Sequence, residues 1–171
     1  LSRAEFRQAG PAALRGTLLG SFLGVLPGGG AALAAFAAYG LEKKLAKDPG
    51  RFGKGAIEGV AAPESANNAA STSSFIPLLT LGIPGNASIA MIFVALMMHG
   101  IRPGPLLLQE HPTIFWGVIA SMYIGNVMLL VLNIAFVPAF VAMLRVPNNV
   151  LAPLIAIFCL AAALGAIVNK R

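Results

Sequence analysis

The chain of 171 residues is 57% hydrophobic and only 11% charged, with a mean hydropathy of +0.81, whereas roughly a quarter of an average soluble domain is charged. These values exclude an ordinary water-soluble domain and define an integral membrane protein. The net charge of +6 does not indicate nucleic acid, because the basic residues cluster at the ends of apolar segments, as the positive-inside rule expects of a membrane protein.

Residues 1–15 carry Arg3, Arg7 and Arg15 with Glu5 and are interrupted by Pro11, which predicts an interfacial helix followed by a turn at the cytoplasmic face. Residues 16–41 are uncharged and long enough to span a core of about 30 Å, but Pro27-Gly28-Gly29-Gly30 falls near their middle. The stretch 42–64, with Lys43, Lys44, Lys47, Arg51 and Lys54, is a basic cytoplasmic loop. Since both flanks of 16–41 are basic, a re-entrant hairpin is favoured over a single broken span.

Residues 65–101 are uncharged, and as one helix they would run to about 55 Å, too long for one crossing. A break at Gly82 to Asn86 resolves this, giving a broken helix or a second hairpin. His99, Arg102, Pro103, Gly104, Glu110 and His111 mark a polar connection. Residues 113–144 read as one long kinked helix in which Asn126 and Asn133 share a face and hydrogen-bond a neighbouring helix, and 146–169 as the final span. The whole, 1–171, is thus expected to be a single all-α transmembrane domain, polytopic, with broken helices or re-entrant hairpins. Its opening at Leu1, without methionine or the order of a cleavable signal, reads as a fragment of a longer polypeptide.

The order Leu-Gly-apolar-Pro-Gly followed by small residues occurs twice, with one residue inserted in the first copy: Leu23-Gly24-Val25-Leu26-Pro27-Gly28 and Leu81-Gly82-Ile83-Pro84-Gly85. Paired interruptions at corresponding positions point to a binding site in a repeat-built transporter of which this chain is one half, with half-helix N-termini facing anionic groups and unwound carbonyls facing cations. Before the second break stands a run rich in hydroxyls and amides, Ser65 to Ser74, that needs protein or water to receive it at membrane depth.

Soluble chemistries find no support. Gly30 is followed by Ala31-Ala32 rather than the Lys-Ser/Thr of a phosphate loop, and no histidine pair has metal-ligand spacing. Cys159 is a lone cysteine inside an apolar helix. The expectation is a non-enzyme with no metal and no nucleic-acid partner.

Gly24 to Gly30, Phe52-Gly53-Lys54-Gly55 with Glu58-Gly59-Val60, Ala62-Pro63-Glu64-Ser65-Ala66-Asn67-Asn68-Ala69 and Leu79 to Gly85 together resemble the large membrane subunit of the tripartite tricarboxylate transporter family, in its C-terminal part. Gly29 departs from the aliphatic residue common there. The resemblance implies a multi-pass permease of the bacterial inner membrane, a secondary transporter acting by symport. It would work with a small membrane subunit and a periplasmic solute-binding protein that delivers citrate or another small carboxylate. It implies no cofactor beyond a sodium ion or proton as coupling ion, and membrane lipid as its surroundings.

Two groups of residues carry the site expectation. Gly28, Gly29, Gly30, Gly85, Asn86 and Ser88 are the substrate-binding candidates, against close helix packing at a kink. Glu64, Asn67, Asn68, Ser71 and Thr72 are the ion-coupling candidates, against a helix-start anion for Glu64 and interhelical hydrogen-bonders for the others. The rival to transport is a non-transporting membrane scaffold.

Overall fold

The computed structural model describes residues 2–28, 30–143 and 148–168. Gly29 lies outside them. Among the described residues the chain is all-α, divided into two compact units, Leu1–Ala120 and Ser121–Arg171.

The first unit is organised by three helices, α1 (Arg3–Val25), α2 (Gly30–Leu45) and α3 (Glu58–Ser73). A capping box starts α1. The Ser2 hydroxyl receives the Glu5 N–H while the Ser2 N–H reaches the Glu5 carboxylate at 2.6 Å, which holds Glu5 below the usual carboxylate range. The helix then runs through Pro11 instead of turning there. Proline removes the hydrogen bond to the carbonyl of Arg7, but Arg7 is exposed and that carbonyl can be solvated.

The buried face of each helix repeats at every fourth residue and is built from small side chains: Ala12, Gly16, Gly20 and Gly24 on α1, Ala34 and Ala38 on α2, and Ala62, Ala66 and Ala70 on α3. Cβ atoms placed on Gly16, Gly20 and Gly24 would run into the backbones of Ala62, Ala66 and Ala70 respectively. Because the numbers rise together, α1 and α3 run parallel and in fixed register, with backbone against backbone. Such contact suits a membrane, where there is no hydrophobic drive between helices and close approach supplies the attraction.

Helix α2 returns antiparallel to α1. Arg15 near the start of the apolar part of α1 donates to both carboxylate oxygens of Glu42 near the end of α2, at 2.6 and 2.8 Å. The Glu42 side chain is 4% exposed and that of Arg15 42%, so the fork reaches in from the rim to neutralise a buried carboxylate. Beyond α2, a 3-10 turn at Pro49–Arg51 is capped by Asp48, and the loop is anchored by Phe52, which packs edge-on against Tyr39 with ring centres 5.5 Å apart. This fixes the chain's entry into α3.

Helix α3 begins at Glu58, so Glu64 lies in its interior rather than at a helix start. The short α4 (Phe75–Leu81) follows at once and is stopped by Gly82, whose φ of 70° lies in the left-handed region. The Gly82 and Ile83 N–H groups fold back on the carbonyls of Leu78 and Pro77, a glycine-terminated helix end. A Cβ there would come within 2.5 Å of the Pro103 carbonyl oxygen, so the chirality and the space both demand glycine. The chain restarts as α5 (Ala87–Met98), and α6 (Leu107–Glu110) leads to α7 (Pro112–Met143).

Most of α7 and all of α8 (Asn148–Val168) belong to the second unit. Among the described residues α7 supplies the one helix long and apolar enough to cross a membrane, over Pro112–Ala142. Its 32 residues extend about 48 Å against a hydrocarbon core of roughly 30 Å. Asn126 and Asn133 lie exposed on it, as do its large side chains Tyr123, Ile124, Leu130 and Phe136.

Candidate functional site where the two helix breaks meet

The parallel register of α1 and α3 brings the two Pro-Gly breaks to the same region of the first unit. The first break follows Val25, with Leu26 extended, and the second runs from Gly82 to Asn86. They touch through backbone: the N–H of Gly28 donates to the carbonyl of Gly85 at 2.9 Å. Gly28 has φ of 82°, and the space beside it is open, with nothing within 4 Å of a Cβ built there. At Gly85 an added Cβ would lie 4.0 Å from the Cα of Pro27. Each loop therefore leaves room at the other.

Two helices start from this junction, α2 at Gly30 with φ of 61°, and α5 at Ala87. Asn86 caps α5 by accepting the Ile89 N–H on Oδ1 at 3.0 Å, and its amide reaches the Ser74 hydroxyl at 3.4 Å. Ser88 stands exposed in the first turn of α5. Of the substrate-binding candidates, Gly28, Gly30, Gly85, Asn86 and Ser88 all lie at these two breaks or at the helix starts that follow them. Gly29 falls outside the described residues.

Glu64, Asn67, Asn68, Ser71 and Thr72 occupy the exposed face of α3, opposite the alanines that pack on α1. They form a polar strip tied lengthwise to the helix, with the Asn68 amide donating to the Glu64 carbonyl at 2.9 Å and the Thr72 hydroxyl to the Asn68 carbonyl at 3.0 Å. The strip, on α3, is thus separate from the break junction, which lies in the loops after α1 and α4. No group of three His, Cys, Asp or Glu residues converges among the described residues.

Two contacts are added by the structure, at residues the sequence placed only in the polar run and the charged flanks. One is Ser74, 1% exposed, whose hydroxyl donates to the carbonyls of Ala70 at 2.7 Å and Gly24 at 3.2 Å, joining the end of α1 to the α3–α4 junction. The other is the Arg15–Glu42 pair. Their signals were present as a serine in phase with Ala66 and Ala70, and as an acid heading a basic run.

Among the described residues the chain is all-α, with one helix long and apolar enough to cross a membrane and, in the first unit, two helix breaks in contact. The profile of the tripartite tricarboxylate transporter TctA family matches residues 1–169, and the chain belongs to that family of transporters. It is 54% identical over 165 residues to an "Uncharacterized 52.8 kDa protein in TAR-I ttuC' 3'region" of Agrobacterium vitis, an overlap covering 96% of this chain and 32% of that protein. It is also 57% identical over 139 residues to an "Uncharacterized protein in TAR-II ttuC' 3'region" of the same organism, covering 81% of this chain and 57% of that relative. The chain therefore spans about a third of one curated relative and just over half of the other. No solved structure matches it.

Proposed function

We propose that this chain is the C-terminal part of a permease subunit that takes up tricarboxylates or other small carboxylates with a coupling ion across the bacterial inner membrane. It would act with a small membrane subunit and a periplasmic solute-binding protein. The observation that supports this most is the Gly28–Gly85 contact, which places the restarting ends of α2 and α5 at one junction. A carboxylate is too costly to hold at membrane depth without donors, and the sequence has no cation between Lys54 and Arg102. Helix N-termini supply partial positive charge and N–H groups, and glycine lets an anion approach them. Asn86 and Ser88 add side-chain hydrogen bonds. The strip of Glu64, Asn67, Asn68, Ser71 and Thr72 serves as the polar path for the coupling ion, since such a face is costly against lipid.

Uptake tests the reading. In a host lacking other carboxylate carriers, radiolabelled di- and tricarboxylates should accumulate only with an intact copy of the full subunit. Equal accumulation without it would leave the scaffold reading, in which the glycines serve packing alone; the backbone contacts of Gly16, Gly20 and Gly24 favour that role for those three positions.

The Arg15–Glu42 pair also supports a hairpin of α1 and α2 with both basic ends cytoplasmic. Cysteines at the exposed positions Gln8 and Lys47 should therefore react with a membrane-impermeant reagent from the same, cytoplasmic face. Labelling from opposite faces would replace the hairpin by a crossing.

A further inference from the structure

The first turns of α1 carry two arginines that no acid answers. Every carboxylate up to Glu58 is engaged elsewhere: Glu5 by Ser2, Glu42 by Arg15, Asp48 by the Gly50 N–H, and Glu58 by Arg51 at 3.8 Å. Among the described residues none pairs with Arg3 or Arg7. Both arginines share one face of α1 with Leu14 and Leu18, since 3, 7, 14 and 18 are separated by one, two and one helical turns. That face lies opposite the buried stripe of Ala12, Gly16 and Gly20. Its apolar members are uncovered, Leu14 being 62% and Leu18 64% exposed, and Phe6 beside the arginines is 70% exposed. Ser2, Arg3, Phe6 and Arg7 together line an open cleft. Helix α2 repeats the order, with exposed Phe36 followed seven residues on by exposed Lys43.

We infer that the outer face of α1 at its basic end binds an anionic phospholipid, with the phosphate in the cleft between Arg3 and Arg7 and an acyl chain along Leu14 and Leu18. This rests on the membrane orientation of the transport reading above. The positive-inside bias is met by cations anywhere in a flank. It requires neither their alignment with an exposed apolar face nor an exposed phenyl ring beside them. A lipid uses all three features. Guanidinium groups grip phosphate oxygens through paired N–H donors, an aromatic ring suits the boundary between headgroups and chains, and leucines in line below the cations cover the chain. The rise from Leu14 to Arg7 is about 10 Å, so a chain lying on the leucines presents its phosphate on the arginine side. Free phosphate would match the charge but leave Phe6, Leu14 and Leu18 without a partner, and a zwitterionic headgroup would bring its own cation to the arginines.

The test uses the purified, delipidated full-length subunit in detergent, with phosphatidylglycerol titrated in and the melting temperature followed. The wild type should be stabilised saturably by phosphatidylglycerol, and neither by phosphatidylcholine nor by soluble glycerol phosphate. Arg3→Gln and Arg7→Gln should each need about fivefold more lipid, the change expected from one cation at an anionic lipid surface. Leu14→Ser should weaken the response as well. Lys54→Gln removes the same charge from the loop before α3, away from the apolar face, and should titrate as wild type. All four side chains are exposed, so the variants should fold, and each retains Arg15, Lys43 and Lys44 to hold its orientation. A wild type indifferent to phosphatidylglycerol, or equal shifts in the Arg3, Arg7 and Lys54 variants, would overturn the site in favour of diffuse attraction. Stabilisation by glycerol phosphate alone would make it a phosphate site and overturn the lipid assignment. A subunit that binds the lipid through these arginines but moves no carboxylate would keep the site and refute the transport reading.

Discussion

Gly20→Val should unfold the three-helix unit, and it is expected to be the most damaging single substitution on the α1–α3 seam. The Cβ it adds lies on top of the Ala66 carbonyl oxygen and close to the Ala66 Cα. Both are backbone atoms that no rotamer change can remove, so α3 must move away from α1 along its length. That separation also loosens the neighbouring contacts at Gly16 and Gly24, which share the register. Overpacking a core costs about 1–3 kcal/mol where side chains can adjust, and a backbone collision belongs at or above the upper end of that range. The full subunit carrying Gly20→Val should show a lowered melting temperature and loss of monodispersity in detergent. Gly117→Ala, at a helical site with nothing within 4 Å of an added Cβ, should be neutral or slightly stabilising. Wild-type thermal behaviour of Gly20→Val would contradict the packing described.

The family was legible in the residues themselves, because the Pro-Gly breaks, the Phe52 to Gly55 turn and the Pro63 to Ala69 stretch are each short and combine specifically. The all-α class followed from composition. Harder to read was which face of α3 points inward. From Ser65 to Ser74 nearly every side chain is small, so hydropathy carries no phase, and Ser71 and Thr72 differ from Ser73 and Ser74 only by their angle around the helix. That angle is set by Ala62, Ala66 and Ala70, whose partners are glycines distant in sequence. Charge gave no help with Glu42 either: it heads a run of lysines and looks solvated until α2 folds back and delivers Arg15 to it. Pro11 misled in the opposite direction, since α1 runs through it at a place where the Arg7 carbonyl it frees is open to solvent. By contrast, the repeat of Leu-Gly-apolar-Pro-Gly carried information about tertiary contact, and its two copies hydrogen-bond to each other.

The second large effect concerns that contact. Gly85 lacks the left-handed φ of Gly28, and a Cβ on it meets only the Pro27 Cα at ordinary van der Waals distance. Alanine therefore fits at Gly85 without backbone strain, and valine adds two further methyls at the same place. Stability and solute access are separable at this position, as they are not at Gly28, where any side chain also bears the cost of a positive φ. Gly85→Ala should insert normally and transport with a weakened apparent affinity. Gly85→Val should insert, melt close to wild type and lose uptake almost entirely, because its bulk would occupy the place proposed for the anion beside the helix starts of α2 and α5. The decisive measurement is the initial rate of radiolabelled carboxylate uptake by Gly85→Val in proteoliposomes, corrected for the amount of inserted subunit. Near-abolished uptake from well-inserted protein is the result predicted; wild-type rate and affinity would mean that the meeting of the two breaks is a packing device and that the carboxylate is bound elsewhere in the subunit.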